Sequence, residues 1–232
     1  MTSDWISFYD FKHSVIYVNA RHRDVHYRTI AEDIRRYVPS PEARVLDYGC
    51  GEATSAELVA EAAAALLLVE AAPNVRAALA ARYAEHPKIA VISAEEATTL
   101  PPASFDLIVL HSVAQYLSAA ELERLLKLFR SLLKPGGLFI LGDVVPPEWA
   151  APAAALALLR FGAENGFFWA AAFGLLRIFV SDYLRLKKTV GLSHYSEAAA
   201  LEKLAAARFA AERAAHNIGH NPWRMTFLAR PV

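Results

Sequence analysis

Cysteine is nearly absent: Cys50 is the only one in 232 residues. That excludes a disulfide framework and a zinc site built on thiolates. It points to a reducing compartment, read here as the cytoplasm. A surplus of one charge is also missing, because 24 Lys and Arg balance 24 Asp and Glu. Nothing in that balance favours nucleic acid, whose phosphates need a basic excess or stripe. The run from Arg185 to Lys188 reads as a solvated helix end. Long uninterrupted apolar runs are lacking too. The most apolar stretch, 149–180, is broken by Arg160, Glu164, Asn165 and Arg177, whereas a membrane-spanning helix needs about 20 predominantly apolar residues. The opening "MTSDWISFYDFKH" has no basic region followed by an apolar one, so no signal peptide is read.

What is present is an alternation. Residues 1–40 are polar and aromatic and read as one or two helices, with Ile30, Ile34 and Val38 on one face of 28–38. From residue 44, apolar strands at 44–48, 66–70, 88–93, 104–112 and 138–145 alternate with helical patterns. Thr54 or Ser55 is the expected cap of the first of these helices. Ser118 with Glu121 forms a capping box for the long amphipathic helix that runs to "KPGG". Residues 147–194 carry apolar, aromatic-rich sequence with no strand signal, and 196–207 resumes the helical rhythm. Two strands around a turn holding Asn217, Gly219, Asn221 and Pro222 end the chain. Arg208 stands where a helix commonly closes on glycine, so either the helix ends differently or Arg208 is left-handed. Four segments follow: 1–40, helical and covering the site; 41–146, the α/β core; 147–194, an apolar helical insertion; and 195–232, a helix and hairpin completing the sheet.

The turn "VLDYGCGEA" at 45–53 carries the chemistry. A strand that ends in glycines and opens a helix forms the ligand crevice of an open α/β sheet. Gly49 and Gly51 let the backbone approach a ligand, but Thr54 replaces the third glycine of the dinucleotide pattern. Asp47 decides more. A carboxylate there repels a pyrophosphate and suits a cationic amino group. Glu70, 23 residues on from Asp47, ends the second strand and can accept both hydroxyls of a ribose.

"VLDYGCGEA", the acid of "LLLVE", "FDLIVLHSVAQYL" and "LLKPGGLFILGD" occur in order. In this the chain resembles the class I S-adenosylmethionine-dependent methyltransferases, strongly over 40–145 and weakly in the C-terminal helix and hairpin. The family's third glycine is Ala53 here. The resemblance implies an α/β, Rossmann-like, seven-stranded and mostly parallel sheet with helices on both faces. Its last strand is antiparallel, and a helical insertion follows strand five. It implies S-adenosylmethionine as cofactor and S-adenosylhomocysteine as product. Asp47, Gly49, Cys50 and Gly51 would hold the methionyl end, Glu70 the ribose, and Ala71 the adenine face. Glu95 with the Ala94 backbone would meet the adenine amino group, and His111 with Ser112 the methionyl group. Cys50 is read as a packed small residue.

Methyl transfer from a sulfonium needs alignment first and a base only where the acceptor must lose a proton. The donor is therefore easier to read than the acceptor. Candidate acceptor-side groups lie in three places. The first is the stretch holding His13, Tyr17, Asn19, Arg21, His22, His26 and Tyr27, where Arg21 is expected on the methionyl carboxylate and Tyr17 or Tyr27 near the sulfonium. The second is 111–116, with His111 as a base and Tyr116 on the substrate side. The third is the turn with His216, Asn217, His220, Asn221 and Arg224. His111, Tyr17 and His26 are the catalytic candidates, and Tyr116, His216, His220 and Trp169 the substrate candidates. No H-x-x-x-H spacing is read on a helix, so no metal is expected. The insertion, with Trp149, Phe161, Phe167, Phe168, Trp169, Phe173 and Phe179, is read as a cap for a small, mainly apolar or aromatic acceptor methylated at O, N or C. It also offers a surface for a second copy, or for peripheral membrane contact reaching a lipidic acceptor. A nicotinamide oxidoreductase and a non-catalytic partner protein of the same fold are the competing classes.

Overall fold

The computed structural model describes residues 3–12, 17–148, 151–178 and 192–232. Expectations placed on His13, Trp149, Phe179, Arg185, Lys187 and Lys188 lie outside them. Two helices, α1 (Ser3–Lys12) and α2 (Ala20–Arg35), precede the sheet. The core then runs β1 (Arg44–Tyr48), α3 (Glu57–Ala62), β2 (Ala65–Val69), α4 (Pro73–Arg82), β3 (Ile89–Ile92), α5 (Ala94–Ala97), β4 (Phe105–His111), a 3-10 turn (Ala114–Tyr116), α6 (Ala119–Leu132) and β5 (Leu133–Val144). The insertion contributes α7 (Ala151–Glu164) and α8 (Phe168–Ile178). The chain closes with α9 (Glu197–Ala206), β6 (Phe209–Arg213) and β7 (Met225–Pro231).

The seven strands are ordered β3-β2-β1-β4-β5-β7-β6. The first five run parallel, and β7 is antiparallel to both neighbours. Strand order reverses between β1 and β4, which opens a crevice at their C-terminal ends. Each face of the sheet has its own core. Leu46, Ile108 and Phe139 pack with Leu126 and Phe129 of α6 on one side. Val45, Leu107 and Ile140 pack with Val59 of α3 and Leu79 of α4 on the other.

Several boundaries differ from the sequence reading, each for a local reason. Helix α2 begins at Ala20, capped by the Asn19 side chain accepting from His22 N. Neither Thr54 nor Ser55 caps α3; its N-cap is Ala56, without a side-chain bond. The backbone supplies those partners instead, through Ala56 N to Ala53 O and Leu58 N to Ser55 O. Helix α4 stops at Arg82 because Tyr83 turns inward, its hydroxyl donating to Ala53 O at 2.6 Å. β5 starts at Leu133, where Leu133 already pairs with Phe105. Pro135 lacks the N–H a helix would need there, and Gly136 takes φ +78. The Ser118–Glu121 capping box forms as read. Arg208 sits left-handed at φ +62, directly after α9 and its C-cap.

The two N-terminal helices close over the crevice. Trp5 of α1 is 1% exposed and packs on Tyr116, with ring centroids 4.4 Å apart. The insertion docks on α2 and the residues just before it, through Phe161, Phe167 and Ala171 against Val18 and Val25. Its other side faces out: Trp169, Phe173 and Leu176 of α8 are 73%, 64% and 66% exposed. No helix among the described residues is long and apolar enough to cross a membrane.

Candidate active site

A cavity of about 310 Å³ opens where β1, β2, β4 and β5 end, and α2, α7 and the β6–β7 turn wall it in. At its floor is the glycine turn. Gly49 has φ +74, and a Cβ there would stand 2.5 Å from Val113. Gly51 has φ +61, and a Cβ there would stand 2.6 Å from the Tyr27 hydroxyl. Ala53, in the slot of the third glycine, takes φ +37, so the backbone there keeps a shape that glycine would adopt without strain.

Glu70 pins this turn. Its two oxygens accept from Gly51 N at 2.9 Å and from Ala72 N at 2.8 Å. Burial still raises its pKa, despite those N–H groups. Asp47 faces the same space. Burial, with Glu70 nearby, pushes its carboxyl up to about 7. No cation among the described residues lies against it. Arg76 offsets part of the charge of Glu70, but a carboxylate at Asp47 with no cation against it makes a site for a positively charged ligand. Cys50 lines the cavity, and burial beside these acids raises its thiol well above the ordinary value, so it stays protonated.

Helix α2 joins this floor to the far wall. Tyr17 donates to the Tyr27 hydroxyl at 3.0 Å, and that oxygen also accepts from Glu52 N at 2.9 Å. Burial holds both phenols un-ionised. Ahead of Tyr27 in the same helix, His22 and His26 line the cavity. They form the H-x-x-x-H pair that the sequence reading passed over, because it began the helix at residue 28. His220 of the β6–β7 turn meets them, with ring centroids 6.2 Å from His22 and 5.9 Å from His26. Phe161 stacks on His220 at 4.4 Å and Phe167 on His22 at 5.0 Å. Burial is the main cause that lowers all of these imidazoles, His22 to about 4. No group of three or more His, Cys, Asp or Glu among the described residues is arranged to hold a metal.

The ends of β4 and β5 complete the wall. His111 Nε2 lies 3.2 Å from the Ile218 carbonyl, which fixes the hydrogen on that nitrogen and leaves Nδ1 as the acceptor. Ser112 and Asp143 both take left-handed backbone, at φ +58 and +60. The Asp143 kink coincides with a register shift between Leu141 and Val144, which turns its carboxylate into the cavity. Asp143 accepts from Ser112 Oγ and from Arg224 Nη1, each at 2.7 Å, and from Asn217 Nδ2 at 3.2 Å. Its deep burial opposes ionisation, but Arg224, His111, Ser112 and Asn217 outweigh that and hold its pKa below the usual range. The sequence reading missed Asp143. The only signal was an acid closing an apolar strand. Beside it Gln115, 4% exposed, donates to Ser112 and leaves its buried Oε1 without a partner.

The cavity thus gathers Asp47, Gly49, Cys50, Gly51, Glu70, His111, Tyr17, His26, Tyr116 and His220. Other candidates sit elsewhere. Arg21 points outward and donates to the Asn165 carbonyl, pinning the end of α7 rather than reaching a ligand carboxylate. Ala71, Ala94 and Glu95 lie just past the ends of β2 and β3, outside the cavity wall, and Glu95 is exposed. His216 is exposed at the start of the β6–β7 turn, and Trp169 faces away on α8.

A seven-stranded sheet of this order, with an acid-flanked glycine turn at its switch point, is the Rossmann-like fold of the class I S-adenosylmethionine-dependent methyltransferases. Residues 46–141 match the family described as "Methyltransferase domain". Among solved structures, the chain is similar to magnesium protoporphyrin IX methyltransferase from Synechocystis PCC 6803 with bound S-adenosylhomocysteine. The identity is 14%, coverage is 99% of both chains, and the TM-score is 0.65. A SAM-dependent methyltransferase from Leishmania major is 15% identical over 98% of this chain and 81% of that one, at TM-score 0.61. The SpnF cyclase is 17% identical over 89% and 81%, at TM-score 0.58. No curated protein matches the sequence.

Proposed function

We propose that this protein transfers the methyl group of S-adenosylmethionine to a small, mainly apolar or aromatic molecule. The observation that carries the reading is the pair of buried carboxylates, Asp47 and Glu70, at the glycine turn with no counter-cation against Asp47. Asp47 would hold the ammonium group of the cofactor, and the Gly49–Gly51 backbone would let its methionyl end approach. Glu70 would take the ribose hydroxyls, with Ala71, Ala94 and Glu95 toward the adenine. When bound, the cofactor supplies an electrophilic methyl group on a good leaving group. The chain's own part is then to align the acceptor, exclude water and hold a proton. Tyr17, His26 and His111 line the space where an acceptor would lie, and Tyr116 and His220 bound it.

Calorimetry with S-adenosylhomocysteine and with NADH tests this reading. Binding of the homocysteine product by wild type, lost in Asp47→Ala, is expected; binding of NADH alone overturns it. The SpnF cyclase shares the fold, so methyl transfer itself needs its own measurement, a labelled-methyl assay over phenols, amines and lipids. A lipidic acceptor is favoured by one feature only, the outward stripe Trp169, Phe173 and Leu176. Vesicle flotation checks it.

A further inference from the structure

We propose that the acceptor is an uncharged, planar aromatic molecule bearing a hydroxyl group, methylated on that oxygen, with His26 taking the proton. This rests on the methyl-transfer reading above and names the acceptor class for the same site.

Three features of the far wall carry it. The first is the placement of His26 at the centre of a ring cluster. Its imidazole lies 6.1 Å from His22, 5.9 Å from His220, 5.6 Å from Tyr17 and 5.4 Å from Tyr27, centroid to centroid. Flat rings from residues 17–27 and the β6–β7 turn, in contact with one another, therefore form one aromatic face of the cavity, against which a planar acceptor can lie with edge and face contacts. The stacked partners Phe161 and Phe167 stand behind His220 and His22, holding their planes and shielding them from water.

The second is charge. Among the described residues, the lining carries three acids, Asp47, Glu70 and Asp143, and no lysine. Its single guanidinium, Arg224, is bound to Asp143 at 2.7 Å. An acceptor carboxylate or phosphate would meet no cation not already engaged there, and would bring a further negative charge into a site that already holds several. An uncharged acceptor meets no such cost.

The third is chemistry. A hydroxyl is a poor nucleophile until its hydrogen is removed, so a site for oxygen methylation needs an unprotonated base within reach. Burial and the neighbouring imidazoles keep His26 in the neutral form that has a free lone pair. In the step, the acceptor oxygen forms a bond to the methyl carbon as its hydrogen passes to the His26 imidazole. The carbon–sulfur bond breaks with its electron pair on sulfur. The products are an aryl methyl ether, a neutral thioether and an imidazolium that returns its proton to water.

Two measurements test the proposal, one of which needs no turnover. In calorimetry on the intact chain, naphthol should bind at least about tenfold more tightly than naphthoate. Equal or tighter binding of naphthoate overturns the uncharged-acceptor assignment, whatever the cofactor does. In the transfer assay, His26→Gln should lose about a hundredfold or more in kcat on naphthol. It should keep most of its rate on para-nitrophenol, which is already ionised at about pH 8 and needs no base. Equal losses on both acceptors would mean that His26 is only structural and would overturn its role. S-adenosylhomocysteine binding, followed in parallel, separates the two failures. If it is absent from wild type, the methyltransferase reading itself fails. If it is present while naphthol neither binds nor is methylated, only the acceptor assignment fails.

Discussion

Burial beside Glu70 holds the Asp47 carboxyl up near 7, so above that pH the ligand-free protein carries a charge it solvates poorly. The sign follows from linkage. A carboxylate whose folded pKa lies above its unfolded value of 3.8 contributes most below 3.8 and loses that contribution as pH rises to about 7. Asp47→Asn should therefore stabilise the ligand-free protein by roughly 2 kcal/mol at about pH 8, read by denaturant melts. The same change should weaken S-adenosylhomocysteine by about tenfold or more, because it removes the acceptor for an ammonium. A second residue tests strain rather than charge. Arg208 is exposed and left-handed at φ +62, so its side chain contributes little to packing. Arg208→Gly should raise stability by about 1 kcal/mol in the same melts, the steric cost of that backbone outweighing glycine's extra freedom in the unfolded chain.

Among the elements, the β6–β7 turn depends most on partners far away in sequence. Asp143, at the end of β5, holds both Asn217 and Arg224 of that turn, and the turn in turn delivers His220 to the cavity. Removing the carboxylate strips a buried guanidinium of its closest counter-charge and places alanine at φ +60. Asp143→Ala should cost about 3–5 kcal/mol, seen as a lower melting midpoint, with protease cleavage within 217–224 appearing first. Helix α2 is the second such element. It brings Tyr27 to the glycine turn and His22 and His26 to the opposite wall, so it ties the two sides of the cavity together.

Across the whole molecule, the buried histidines set the response to acid. His22, His26, His111 and His220 all have lowered pKa values, His22 to about 4. An imidazole kept neutral contributes fully above its unfolded value of 6.5 and loses that contribution as pH falls toward its folded value. Asp47 and Glu70 act in the opposite direction, gaining as pH falls. The His26→Gln variant lacks one of the acid-sensitive groups. Its stability should fall less than that of wild type as pH falls below 6.5, measured as melting midpoints across that range.

The amino-acid order by itself determined the sheet, the glycine turn and the acids that flank it. Apolar strands buried on both faces must alternate with helices, and Asp47, Gly49, Gly51 and Glu70 fall at strand ends whose direction the alternation sets. The cofactor motif is local, so it can be read locally. Only the tertiary structure decided the acceptor end. His26 and His220 are separated by most of the chain, and Asp143 meets Arg224 across 81 residues. Arg21 and Trp169 lay in segments that looked right, yet they face outward because their neighbours His22, Phe161 and Phe167 fill the inward positions. Which side of a helix turns inward depends on what packs against it, and that partner lies elsewhere in the chain.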